Sequence, residues 1–481
     1  CFLAFAGPRY QKLSDREIQV SPTQRHDFAC LLKDATAAPN PPLRGILHLW
    51  SMDLGALDER SPLDVFNTAC EIGCESVLNL IQAMDEARLK ETPVVTLVTR
   101  GAVAVPGDKG CVRLAQSPLW GLGRTIAEEL PQLRCRRVDL SLEPTSDEWQ
   151  QVLHEVQSES PETDIAFRNR VRYVQSLRTH LPLRAAERVG GFDPDGTYLI
   201  TGGLGALGLL VAEWMKEKGV RHLVLAGRSE PPASIRSRIN ALEDSGAQLV
   251  VLQADVSLEQ DVRRMLATID SALPPLRGIV HAAGITDDAA LLRQNPDRFR
   301  TVMAPKIAGA WLLHSLTSHL DLDLFVCFSS VAALFGSAGQ SNYAAANAFL
   351  DALAQHRRAR GLKGLSINWG PWEAMGMTSN LTESAQRSMA RRGLGFLSRS
   401  AGLRALEEIL FEPRAQVAVV AFNWPSLLEA FPPGSEPPLL TALIQGKQMA
   451  RPTERQSGGE SKAERERSRI LELRNQESLV P

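Results

Sequence analysis

Residues 329–349 read SSVAALFGSAGQSNYAAANAF. A strand-like run ends at Ser330. Tyr343, one of only four tyrosines in the chain, follows thirteen residues later at the head of an alanine-rich segment. A phenol near a strand-end hydroxyl is suited to giving a proton to a carbonyl oxygen that is gaining negative charge. Tyrosine's ordinary pKa of about 10 is high for this chemistry at neutral pH, and a neighbouring ammonium lowers it. A serine hydroxyl can orient the same oxygen and share its charge. Asn347 lies one helical turn beyond Tyr343, on the same face. Alone, Tyr343 would be a helix-surface aromatic and Ser330 a turn residue; the chemistry needs a hydride source beside them.

TGGLGALG, from Thr201 to Gly208, offers one. It follows the apolar run TYLI and opens the helical pattern LGLLVAEWMKEKG. A strand feeding a glycine turn into a helix N-terminus lets the backbone approach a pyrophosphate and aims free N–H groups at it. Thr201, Gly202, Gly203, Leu204, Gly205 and Gly208 are the expected dinucleotide contacts. An NAD site expects Asp or Glu about twenty residues further on. LAGRS supplies Arg228 and Ser229 there, a cation and a hydroxyl suited to a 2′-phosphate. The expected cofactor is NADPH. Asp255, in ADVS, is placed to meet the adenine edge or to cap the following helix.

These residues need a scaffold, and the pattern provides it. TYLIT, HLVLAG, QLVVLQADV, LRGIVHAAG, LDLFVCFSS, GLSINWG and VAVVAFNW read as strands, with amphipathic stretches between most of them. This alternation predicts a parallel sheet covered by helices on both faces. The first part of the chain reads as a second copy. PPLRGILH from Pro41 and PPLRGIVH from Pro274 differ at one residue, and each is followed by a helical region and an apolar strand. The copies part company where chemistry would sit: Arg100 matches Ser330, HLWS matches HAAG, and the first copy has neither a glycine loop nor a counterpart of Tyr343. CFLAFAGPR resembles LVLAGRS, the second strand of the second copy, so the chain is expected to begin inside a domain. CFLAFA would then lie at an exposed sheet edge, an aggregation hazard.

Length and composition set outer bounds. The 481 residues suit two to three domains; 44% are apolar, 22% are charged, and net charge is -2. No basic excess points to nucleic acid or a membrane surface, and no apolar run or leader pattern suggests a membrane span or secretion. The seven cysteines form no CxxC pair; Cys70 and Cys74, at i and i+4, read as packing rather than metal ligands. A cytoplasmic protein with reduced thiols and no metal is expected. The segment 142–190 is a polar joint containing the strand-like IAFRNRVRYVQSL. FPPGSEPP reads as a loop, and the tail beyond it as polar linker with a short helix near 461–474.

TGGLGALG, LAGRS, ADVS, HAAG, SS…NYAAANAF and NWGPW together resemble the short-chain dehydrogenase/reductase superfamily, and more closely the ketoreductase domains of modular polyketide synthases. Ordinary short-chain reductases carry lysine four residues after the tyrosine. Here Asn347 holds that position and the lysine is upstream, as Lys306 in PKIAGAWLLH, an exchange typical of synthase ketoreductases. The resemblance implies two Rossmann-like doubly wound subdomains: a truncated structural copy at 1–185 and a catalytic copy at 186–440. A linker toward a carrier protein would occupy 441–481. It implies NADPH-dependent reduction of a β-ketoacyl thioester carried on the phosphopantetheine of an acyl carrier protein, beside other synthase domains. Tyr343 would protonate the oxygen, Ser330 hold it, Lys306 lower the tyrosine pKa and Asn347 support the network. Val256, Ala283 and Gly284 would join the cofactor contacts. Residues 373–393 would form a lid, with Met375, Met377 and Leu381 either toward substrate or packed on the body.

Within the family, one stereochemical type shows an LDD-like motif after the HAAG strand, and the other a tryptophan eight residues before the tyrosine. This chain has TDD, with Asp288, and Phe335 at the tryptophan position, which implies the B type and a 3R hydroxyl. Ala345 in place of proline argues against an epimerised α-methyl substrate. Two rival readings make different demands. A free-standing reductase predicts no repeat and a lysine at 347. A non-reducing structural or epimerising module predicts damage at Tyr343, Ser330, Lys306 or the glycine loop.

Overall fold

The structure, a computed structural model, describes residues 1–55, 61–108, 112–179, 191–244, 246–373, 389, 393–430 and 436–449. In the first half, β1 (Leu3–Ala6), β2 (Gln11–Lys12) and β3 (Glu17–Val20) make a small sheet of order β1-β3-β2. A five-stranded sheet follows in simple order: β4 (Gly45–His48), β5 (Val94–Arg100), β6 (Arg136–Leu140), β7 (Asp164–Arg168) and β8 (Val171–Val174). Its helices are α1 (Arg25–Thr36), α2 (Asp64–Cys70), α3 (Ser76–Ala87), α4 (Pro118–Glu129) and α5 (Glu148–Gln157).

In the second half the strands are β9 (Thr197–Thr201), β10 (His222–Gly227), β11 (Gln248–Gln253), β12 (Leu276–His281), β13 (Leu324–Ser330), β14 (Leu365–Trp369), β15 (Leu394–Gly395), β16 (Gln416–Val419) and β17 (Ala421–Phe422). Seven of them form one sheet in the order β11-β10-β9-β12-β13-β14-β16, parallel throughout. Its helices include α6 (Ala206–Glu217), α7 (Ala233–Asp244), α8 (Glu259–Ala272), α9 (Pro296–Met303), α10 (Gly309–Thr317), α11 (Ala332–Phe335) and α12 (Ser341–Ala359). Every residue of β9 and β14 is buried, as expected of strands covered on both faces. The strand order reverses direction between β9 and β12, and ligands of such sheets bind outside the strand ends at that point.

The duplication is visible in three dimensions. β1 pairs with β3 in parallel as β10 pairs with β11, and β4 to β6 follow the course of β12 to β14. Each half even carries a π-helical turn after its HLWS or HAAG strand, at Glu71–Glu75 and at Ala304–Ala308. The first copy departs from a full doubly wound sheet. The place that β9 holds between β10 and β12 has no strand between β1 and β4 among the described residues, so the small sheet stands apart.

Two expectations are corrected. IAFRNRVRYVQSL is a hairpin of β7 and β8 rather than one strand. Asn169 and Arg170, at φ 49° and 69°, make its two-residue turn without the glycine that usually announces one. Residues 441–449, expected as linker, continue a helix, Pro438–Met449, whose Leu440, Leu443 and Ile444 pack with Leu177, Val331 and Val420. The tail helix expected near 461–474 lies outside the described residues. No helix among the described residues is long and apolar enough to cross a membrane. Cys70 and Cys74 pack between the halves, with Cys70 Sγ 3.6 Å from Met303 Sδ.

The halves join through α4 and α12, the corresponding helices of the two copies. A Cβ on Gly121 of α4 would stand 2.1 Å from the Ala344 carbonyl oxygen and 2.7 Å from Ala345 N. Only glycine permits two backbones so close, and the contact lies beside Tyr343. Alanine at 121 must push the helices apart. We expect Gly121→Ala to cost about 2 kcal/mol of stability, as overpacking does. Melting temperature and turnover should fall together; unchanged melting would mean that the helices part freely.

Candidate active site

One cleft of about 840 Å³ runs along the carboxyl ends of the strands. At one end lies the turn between β9 and α6. Gly202 takes φ +69°, and a Cβ there would sit 2.8 Å from the Ala282 carbonyl group, so the turn can lie flat against the HAAG strand. A Cβ on Gly208 would meet the Gly202 oxygen at 2.3 Å, which keeps the first turn of α6 against the loop. The helix N-terminus follows at once, with Gly205 as its cap residue. Gly202, Leu204, Gly205 and Gly208 line the cleft, as do Arg228, Ser229 and Val256 beyond β10 and β11. The cradle fits a dinucleotide: a glycine-rich backbone turn at a helix end, with the Arg228 cation in the same cleft.

Thr201 and Gly203 sit behind that surface. Thr201 is fully buried and its hydroxyl meets His281 Nδ1 at 2.8 Å. Asp255 is absent from the lining. One of its oxygens accepts from Ser257 N at 2.9 Å and from the Ser257 hydroxyl at 2.7 Å, so it closes the turn before α8. The helix cap expected of it is not made, since Leu258 is the N-cap residue of α8 and has no side-chain cap bond.

At the other end of the cleft stand Ser330, Tyr343 and Lys306, with Ala283 and Gly284 between them and the glycine turn. Ser330 ends β13; its oxygen accepts from Ala332 N at 3.2 Å, leaving its O–H free to donate. Tyr343 is in the first turn of α12 and 7% exposed. Lys306 occupies the π-helical turn, 3% exposed, with Nζ 5.2 Å from the Tyr343 ring centroid. Gly284 makes room for it, since a Cβ there would come within 2.8 Å of Lys306 Cε. Asn347 is fully buried and lies behind the cleft; its Nδ2 donates to the Tyr343 carbonyl at 2.8 Å and so pins the backbone of the tyrosine.

The electrostatics differ from expectation at one point. The expectation is that Lys306 lowers the Tyr343 pKa. Burial instead pushes the phenol up to about 12, against the polar side chains of Asn347 and Ser330 nearby, which pull it down. The ammonium lies over the ring rather than at the hydroxyl and donates to the Phe328 carbonyl at 3.0 Å. Burial also brings Lys306 itself down to about 8.

Asp288 and Phe335 both line the cleft. Burial raises the Asp288 pKa, while the Gln340 amide donates to it at 3.0 Å. Met375, Met377 and Leu381 lie outside the described residues, as does most of the expected lid; Met389 of the same segment does line the cleft. Sequence reasoning left Gln340, Trp369 and Trp372 without a place in the site. All three line it, and the two tryptophan rings pack at 4.9 Å as one wall. The signal was present in NWGPW, two large aromatics around a turn at a strand end.

Known proteins share this sequence and this geometry. The family model for the KR domain matches residues 196–374, and that for "Polyketide synthase extender module SpnB, Rossmann fold domain" matches residues 19–177. Polyketide synthase GfsA of Streptomyces halstedii is 40% identical over 373 residues, 76% of this chain and 5% of that protein. Phenolphthiocerol synthesis polyketide synthase type I Pks15/1 of Mycobacterium marinum (strain ATCC BAA-535 / M) is 36% identical over 312 residues, 64% of this chain and 14% of that protein. The chain thus spans a small part of the length of both. Among solved structures, the first ketoreductase of the tylosin PKS is similar at TM-score 0.72 and 30% identity, covering 90% of each chain. An A1-type ketoreductase is similar at TM-score 0.78 and 28% identity, covering 90% of this chain and 88% of that one.

Proposed function

The chain belongs to the ketoreductase domains of modular polyketide synthases, and from that membership we propose that it reduces a β-ketoacyl thioester to the β-hydroxyacyl thioester with NADPH. The observation that carries this is one cleft with the glycine turn and Arg228 at one end and Ser330, Tyr343 and Lys306 at the other. NADPH held by the glycine turn, Arg228 and Ser229 would supply a hydride to C3 of the substrate. Ser330 and Tyr343 point their hydroxyls at the β-carbonyl oxygen. Tyr343 gives its proton to that oxygen as charge develops there. Lys306 places a positive charge beneath the ring, and Asn347 fixes the helix turn that presents it. Residues 1–185 act as the scaffold for 186–440, and an acyl carrier protein presents the substrate on its phosphopantetheine arm. Asp288, with Phe335 where the other type has tryptophan, supports the B type and a 3R hydroxyl.

The test is NADPH oxidation with a β-ketoacyl N-acetylcysteamine thioester, with chiral analysis of the product. NADPH-dependent turnover to one hydroxyl configuration is expected. A folded protein that binds NADPH and never reduces the thioester would sink the reading. Cofactor choice has its own test. Arg228→Ala should raise the KM for NADPH about tenfold and leave NADH unchanged, because a guanidinium–phosphate pair is charge-assisted and bidentate. Equal effects on both cofactors would remove Arg228 from the 2′-phosphate site.

A further inference from the structure

We propose that Glu129, on the half of the chain that carries none of the proposed catalytic residues, sets the hand of the reduction by fixing the spacing of the two loops that face the substrate. The proposal rests on the reductase reading above and names a positioning residue for its stereochemistry.

Glu129 is the last residue of α4. A carboxylate at a helix C-terminus faces the negative end of the helix dipole, so the helix itself gains nothing from it. Its partners lie across the interface. Oε2 accepts from Leu291 N at 2.7 Å, and Oε1 accepts from Gly339 N at 2.8 Å. Leu291 follows the loop that carries Asp287 and Asp288. Gly339 lies in the second loop, the connection from Ser330 to α12, which includes the short α11 ending at Phe335 and then Gln340. One carboxylate thus holds both loops through two charge-assisted bonds to backbone.

The two loops also touch each other directly beside this clamp. Ala289 N donates to Gly339 O at 2.8 Å, and the Gln340 amide reaches Asp288 at 3.0 Å. Arg298 and Asn342 secure the first loop: Arg298 pairs with Asp287 at 2.9 Å, and Asn342 donates to the Asp287 carbonyl at 3.0 Å. Asp288, Phe335 and Gln340 all line the cleft. Other groups of α4 reach the second loop alone. Thr125 Oγ1 accepts from Ser337 N at 3.4 Å, and Arg124 donates to the Ala333 carbonyl. Among the described residues, only Glu129 of α4 is hydrogen-bonded to both loops.

Choosing a face of a flat carbonyl is a difference between two transition states. Here the two arms of the ketone must pass between the loop of Asp288 and the loop of Phe335. If the loops slide relative to each other, the rejected orientation gains room. Losing one charge-assisted bond of the clamp should raise the minor hydroxyl configuration about tenfold.

The experiment compares wild type with Glu129→Gln, Glu129→Asp and Thr125→Val on 3-oxopentanoyl N-acetylcysteamine thioester, reading product configuration, KM, kcat and NADPH Kd. In Glu129→Gln the amide presents a donor to one of the two N–H groups, and in Glu129→Asp the reach is too short for both. Both should raise the minor configuration about tenfold with NADPH Kd within about twofold of wild type, as expected of a group remote from the cofactor. Thr125→Val, which touches one loop, should keep the wild-type configuration. An unchanged ratio in both Glu129 variants overturns the proposal, as does a Thr125→Val effect of the same size. Deuterium exchange of the same proteins reads the clamp without turnover. The amides of 287–291 and of 336–340 should lose protection together in Glu129→Gln; loss in one loop or in neither overturns it. No reduction by wild type, with that paired loss present, would count against the reductase reading alone.

Discussion

Tyr343→Phe should lower kcat about 10³-fold, within the range that removal of a positioned general acid produces, and leave NADPH binding within about twofold. The substitution deletes one oxygen and keeps the ring. The ring is what packs against the buried surroundings and lies under the Lys306 ammonium, so folding and cofactor binding have no cause to change. The phenol's pKa is pushed up to about 12, so it stays protonated across the ordinary assay range and remains available as a donor. Any fall of kcat between about pH 7 and pH 10 must therefore come from another group. Single-turnover reduction at saturating NADPH checks the prediction. A Tyr343→Phe rate within about tenfold of wild type would hand the proton to Ser330 or to water. Ser330→Ala, which removes one donor to the oxygen and leaves the acid, should cost about 10²-fold.

What could be read from the sequence was whatever announces itself within one element. The strands of the second sheet are apolar β-branched runs, and a strand buried on both faces has no other way to look. The glycine turn is local, and so is the placing of Asn347 one turn after Tyr343. The repeat was legible because PPLRGI occurs twice. The illegible features act across the interface between halves. Gly121 is an ordinary helical glycine until Ala344 is seen against it, and Glu129 binds loops 162 and 210 residues away. Neither carries a pattern, since a backbone N–H can be met by any carboxylate that the fold delivers. The β7–β8 turn escaped because Asn169 and Arg170 take positive φ without glycine. Asp255 escaped for the opposite reason: a lone carboxylate at a strand end fits many uses, and its Ser257 contacts close a local turn instead of the helix cap that the sequence offered. Lys306 was assigned from the family exchange with Asn347. Its place in a π-helical turn explains how it reaches the cleft, because one extra residue in the turn rotates the following side chains.

Lys306→Met should make the protein more stable and much less active. The lysine is buried and its pKa is about 8, against 10.5 for the free side chain. Desolvation causes the drop, opposed by the weaker pull of Cys327 and Asp351. Below about pH 8 the folded protein holds an ammonium that it would rather shed, and that burden corresponds to about 3 kcal/mol. Between about pH 8 and 10.5 the folded protein has released this proton while the unfolded chain still binds one. Wild-type stability therefore rises with pH through that window on this residue's account. Methionine has a similar length, no charge and a flexible stem, so it removes the burden and keeps most of the packing. Chemical denaturation at about pH 7 should show Lys306→Met more stable by roughly 2 kcal/mol, with the gain fading as pH climbs from about 8 toward 10.5. Over the same range wild-type kcat should decline as the ammonium is lost, while the variant, about 10²-fold slower, shows no such decline. A variant that is less stable at neutral pH would mean that Lys306 is held for packing. A stable variant with wild-type kcat would leave the charge under Tyr343 without a part in the proton transfer. The expected pairing, stability gained and turnover lost, is what a charge kept buried for chemistry produces.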